Sequence, residues 1–160
     1  MYRKFAFEGD VHEALDCVPL TVRRKLDLAR LKISLAGWQS LSRGERLALC
    51  HLPVETEEDV AVYREILAAF AERAGAAVKD LPIEVGDRRA WGAGAVPAVV
   101  EARASSLAGA PLARLRAAWG GLTEEERYAL FKLSNPEKSP EKLHRALTEL
   151  GLVGPLPPNR

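Results

Sequence analysis

Two stretches of the chain share one pattern. Residues 38–52 and 119–133 both read W-x-x-L-[S/T]-x-x-E-R-x-A-L-x-x-L, every match at a constant offset of 81. The pairs are Trp38/Trp119, Leu41/Leu122, Ser42/Thr123, Glu45/Glu126, Arg46/Arg127, Ala48/Ala129, Leu49/Leu130 and Leu52/Leu133. Two tryptophans and two cap-plus-carboxylate sets in register are more than an Ala/Leu bias supplies, so the pattern predicts a duplication. Upstream, Val18-Pro19 finds a counterpart in Val96-Pro97. Downstream, a helix from Thr56 matches one from Ser139 after a two-residue gap. Each half then reads as four helices: one after Val-Pro, one ending at the Trp, one from the capping box, and one amphipathic.

The chemistry of the repeat says what it is for. Ser42 and Thr123 stand three residues before Glu45 and Glu126. In a capping box the hydroxyl accepts from a free N–H of the first turn, and the carboxylate reaches back. Thr56 with Asp59 is a weaker form of the same device, and Ser139-Pro140 puts a cap before a first-turn proline. Each Trp sits four residues before its cap, placed to plug a corner between helices, with Glu45/Arg46 and Glu126/Arg127 bracing it. The longest helix is predicted from about Glu57 to Arg73, where Val60, Tyr63, Leu67 and Phe70 recur at three- and four-residue steps.

Strand signals are weak. Phe5-Ala-Phe7 alternates over too few residues to build a sheet and reads as an extended arm whose rings dock on the helical body. The expected fold is therefore all-α, about eight short helices in a single compact bundle-like domain over 1–160. Its repeat halves run over about 18–74 and 96–152, with an extended N-terminal arm at 1–10, a Gly-rich loop at 75–95 and a Pro-rich C-terminal tail at 153–160.

Composition narrows the function classes. Lys and Arg number 23 against 22 Asp and Glu, so no global basic field draws nucleic acid or an anionic membrane. No apolar run approaches the roughly 20 residues of a membrane span. The N-terminal residues lack the apolar run of a secretory signal, so the two cysteines, Cys17 and Cys50, are expected as reduced thiols of a cytoplasmic protein. No phosphate-binding loop, dinucleotide fingerprint, zinc-spaced Cys pair or nucleophilic triad can be read, so no catalytic residue, metal ligand or cofactor is expected. Charge is uneven, however: residues 54–87 carry three Lys/Arg against nine Asp/Glu, between two basic blocks.

Two segments stand out as contact surfaces. The helix after Pro19 is dense in charge, with Arg23 and Arg30 spaced to pair with Asp27, and Lys25 on a different face. The 75–95 loop carries Arg88, Arg89 and Trp91, a composition typical of interface anchors and equally that of a linker whose Trp folds back onto the core. Arg23, Lys25, Lys32, Arg88, Arg89 and Trp91 are the candidate partner-binding residues.

Five blocks together resemble a known family. They are Phe5-x-Phe-Glu-Gly-Asp10, Cys17-Val-Pro-Leu-x-Val-Arg-x-Lys-Leu-Asp27, Leu31-Lys-Ile-Ser-Leu-x-x-Trp38, Glu45-Arg-x-x-Leu49 and Leu52-Pro53. The run resembles the conserved nitrate reductase-associated protein family. Leu20 stands where that pattern more often has methionine, and the loop around 75–95 follows it poorly. The resemblance implies a non-enzymatic accessory or maturation protein whose partner is a molybdenum-containing assimilatory nitrate reductase. It implies no catalytic residues. A different reading of the same residues is a helical domain that binds a small anion through Arg23, Lys25 and Lys32.

Overall fold

The computed structural model describes residues 2–107 and 112–153. Among them are nine α-helices and one small antiparallel sheet. The chain divides into two compact units. One holds the residues up to Asp87 apart from Phe5–Phe7, and the other holds Phe5–Phe7 and the residues from Arg88 onward. The break falls inside the stretch expected as a loop at 75–95.

The first unit contains α1 (Val11–Ala14), α2 (Leu20–Ala29), β1 (Leu31–Ile33), α3 (Leu35–Ser40), α4 (Arg43–His51), α5 (Glu57–Ala74) and β2 (Val78–Asp80). Pro19 has no side chain able to cap α2, and the Glu8 carboxylate serves instead, accepting from Leu20 N at 2.9 Å. Ser34 caps α3, and complete capping boxes start α4 at Ser42 and α5 at Thr56. A left-handed residue, Arg30, ends α2 and turns the chain straight into β1. Gly75, at φ 70°, ends α5 in the same conformation, which costs glycine nothing. The turn Ile83–Gly86 then lies against the end of α2. A Cβ on Gly86 would stand 2.8 Å from Asp27 O, so only glycine fits there. Trp38, Leu49, Tyr63 and Leu67 are fully buried and centre this unit's core.

The second unit contains α6 (Ala98–Ser105), α7 (Leu112–Trp119), α8 (Glu124–Leu133) and α9 (Pro140–Glu149). Thr123 opens α8 with a capping box, and Ser139 with Pro140 opens α9. Trp91, Trp119, Tyr128, Leu130 and Leu143 fill its core. Phe5 is buried, its ring 5.3 Å from that of Phe7, and Phe7 N donates to the Glu149 carboxylate.

Three expectations change. The arm at 1–10 is not extended throughout: Ala6–Glu8 form a 3-10 turn, and a helix begins directly after the arm, at Val11. The 75–95 stretch is not plain loop, because it holds β2 and 3-10 turns at Ile83–Gly86 and Arg88–Trp91. And Leu31-Lys-Ile is a strand, paired with a partner more than forty residues downstream. The tail expected at 153–160 lies, beyond Val153, outside the described residues, as do 108–111 of the second repeat half.

Candidate functional site

The six candidate residues divide three and three between the units. Arg23, Lys25 and Lys32 belong to the first, and Arg88, Arg89 and Trp91 to the second.

Lys25 is not at the surface. It lies on the inner side of α2, only 4% exposed. Its Nζ donates to Cys50 O at 2.7 Å and to Leu52 O at 2.5 Å. These carbonyls end α4, where the helix leaves acceptors unused. Tyr63 of α5 donates its hydroxyl to the next one back, Leu49 O, at 2.9 Å. The reading of Lys25 as a partner contact is therefore corrected: its ammonium is spent on holding the end of α4. Burial raises the Tyr63 hydroxyl well above its usual range and raises the Cys50 thiol. Tyr2 packs beside Cys50, edge-on to the His51 ring at 4.9 Å, and burial with the neighbouring thiol pushes its hydroxyl up to about 12. Buried, neutral groups of this kind are poor nucleophiles.

Trp91 is also inside, 1% exposed. Its ring meets Tyr128 edge-on at 5.0 Å, and its carbonyl accepts from Arg127 Nε at 2.9 Å. The Trp/Arg composition suggested an interface anchor, but the anchor is set in the second unit's own core. Arg88, about one third exposed, grips Glu124 with two bonds of 2.6 and 2.9 Å.

The outward residues are Arg23, Lys32 and Arg89. Arg23 donates from Nε to Val18 O at 3.3 Å, within its own segment. Lys32 projects from β1 and faces Lys79 of β2 directly across the ladder. Lys79 was not singled out from the sequence, because only the register of a non-local pairing brings it there. No group of three or more His, Cys, Asp or Glu is gathered for a metal ion among the described residues. Nor is any described helix long and apolar enough to cross a membrane.

The repeated residues build matching corners. In the first unit Trp38 Nε1 donates to Leu15 O at 2.7 Å, and Arg46 reaches the same carbonyl and Leu41 O. In the second, Trp119 Nε1 donates to Gly92 O at 2.7 Å, and Arg127 reaches Trp91 O and Leu122 O. In both cases the Trp and Arg clamp the loop before the first repeat helix, and the Arg also ties down the residue before its own cap.

No curated protein and no solved structure matches the chain. The family description "Conserved nitrate reductase-associated protein" matches residues 4–150, which include both clamped corners, the α2 helix and the exposed lysine of β1. Over that span the chain belongs to the conserved nitrate reductase-associated protein family.

Proposed function

We propose that this protein is a non-enzymatic accessory factor of a molybdenum-containing assimilatory nitrate reductase, acting in the cytoplasm by protein contact during maturation or activation of the enzyme. The observation that carries the reading is the family match over residues 4–150. The geometry is compatible with it. The most chemically able side chains, Lys25, Cys50 and Tyr63, are turned inward, and Lys25 and Tyr63 bond backbone carbonyls. Of the first unit's candidate residues, those that face outward, Arg23 and Lys32, are charged. Exposed charge governs encounter rate and partner choice more than chemistry. A small-anion receptor built on Arg23, Lys25 and Lys32 is the weaker reading, because Lys25 already serves two carbonyls.

The test is to purify the reductase from cells with and without this protein and to measure its molybdenum content and activity, alongside pull-down of the reductase on the tagged protein. The expected result is retention of the reductase and a deficit in active, molybdenum-loaded enzyme when the factor is missing. Full loading and activity without the factor, with no retention, would sink the proposal.

A further inference from the structure

The sheet of the first unit has two faces of opposite character. In the register Leu31↔Asp80, Lys32↔Lys79, Ile33↔Val78, the middle pair points away from its neighbours on each strand. Leu31 and Ile33 are buried, so their face is the inner one. Lys32 and Lys79 are both exposed, directly opposite each other on the outer face. Cross-strand partners stand about 4.5–5.5 Å apart at Cβ, where like charges repel.

Among the described residues no ion pair relieves that repulsion. The acid on these strands, Asp80, belongs to the Leu31 face and is taken by Arg64 of α5. Neither lysine has a counter-ion among the described residues. Acids are not scarce: residues 1–87 hold fifteen Asp/Glu against twelve Lys/Arg. A surface that sets two cations side by side, within a unit of acidic balance, is complementary to a short local anion. That balance works against an extended polyanion, such as a nucleic acid or an anionic bilayer.

A second observation concerns the ends of the ladder. Leu35, just past β1, is 52% exposed, and Ile83, just past β2, is 69% exposed. The strands are antiparallel, so their exits lie at opposite ends. Each exit is thus followed by an exposed apolar side chain, Leu35 shortly after β1 and Ile83 shortly after β2.

We propose that the outer face of this sheet, centred on Lys32 and Lys79 and with Leu35 and Ile83 following its strands, is the docking surface for an acidic segment of the nitrate reductase. The partner segment brings carboxylates to both ammoniums and an apolar side chain to one or both ends. The proposal rests on the accessory-factor reading, since it names where that contact is made.

The experiment is a binding titration of purified reductase with the full-length protein and its variants, run at several salt concentrations with thermal melts alongside. Lys32→Gln with Lys79→Gln should weaken binding about tenfold and flatten its salt dependence. Lys32→Arg with Lys79→Arg should bind as the wild type does. Leu35→Ser with Ile83→Ser should shorten the lifetime of the complex several-fold. The glutamine pair should melt no earlier than wild type, because it removes a repulsion. If wild type binds and the glutamine pair binds equally well, the surface is wrong while the accessory reading stands. If wild type does not bind at all, both fall together. Unchanged reductase affinity with a new tendency of the glutamine pair to self-associate would show that the lysines only guard the strands against pairing. Binding to phosphatidylserine vesicles that is lost in the glutamine pair, with reductase affinity intact, would assign the face to lipid and also overturn the proposal.

Discussion

Lys25 and Lys32 carry the same charge seven residues apart, yet one holds the interior together and the other faces solvent. The Lys25 ammonium meets Cys50 O and Leu52 O at the end of α4, so its loss takes a donor from one buried and one part-buried carbonyl. Lys25→Met keeps the apolar stem and should still cost about 1–3 kcal/mol in urea unfolding, whereas Lys32→Met should stay within about 0.5 kcal/mol. Equal effects would mean that the carbonyls find water and that the bond is dispensable. The two cysteines divide in a similar way. Cys17 is exposed and Cys50 is fully buried, with burial raising its thiol. A thiol reagent at pH 8 should therefore label Cys17 readily and Cys50 only after denaturation. The Tyr2 hydroxyl, raised from 10 to about 12, gives the pH dependence its sign. Above pH 10 the unfolded chain releases this proton while the native state keeps it, so the contribution is complete below pH 10 and is lost as pH rises toward 12. Burial raises Cys50 in the same direction. Tyr2→Phe should flatten the alkaline limb of stability measured by chemical denaturation, and an unchanged slope would place that proton elsewhere.

Among the elements, the corners carry the most information. Arg46 reaches Leu15, Gln39 and Leu41, and Arg127 reaches Trp91 and Leu122, all through main-chain carbonyls. Arg46→Met and Arg127→Met should each cost about 1–3 kcal/mol, and by similar amounts if the two corners are repeats of one design. A large loss at one and none at the other would break that correspondence. The corners were legible because their signal is local: a capping box spans four residues, and α5 shows its period within its own eighteen. The sheet was not legible, because three alternating residues at Leu31–Ile33 carry no statement about which distant segment pairs with them. The turn at Arg30, a non-glycine residue at φ 55°, is likewise invisible to composition. Trp91 failed for another reason. An aromatic ring beside arginines is equally apt for a partner's pocket and for the chain's own core. The choice was made by Tyr128 and Arg127, more than thirty residues away.

At the scale of the molecule the question is whether a residue serves stability or association, and the second unit offers a sharp case. Trp91 is 1% exposed and lies within 5.7 Å of Phe131 as well as against Tyr128. Its truncation removes a large ring from a packed core, at a cost of about 3–5 kcal/mol. For a chain of this length that is a fall in melting temperature on the order of 10 °C. Affinity for the reductase, measured well below the melt, should be unchanged, because no atom of the buried ring is offered to a partner. Arg23 should do the opposite. It is exposed, and its guanidinium Nε donates to the carbonyl of Val18 at 3.3 Å in an exposed bond, so Arg23→Glu removes no buried bond among the described residues. Its melt should stay within about 2 °C of wild type. If the basic side of the first unit guides the encounter, association should slow several-fold at low salt, while dissociation barely changes and the difference fades as salt screens the field. Stopped-flow association with the reductase, paired with thermal melts of both variants, separates the two roles. A Trp91→Ala protein that is fully folded yet binds tenfold less tightly would return that ring to the contact surface. An Arg23→Glu protein with an unchanged association rate would leave the lysine-bearing sheet to account for the charge on its own.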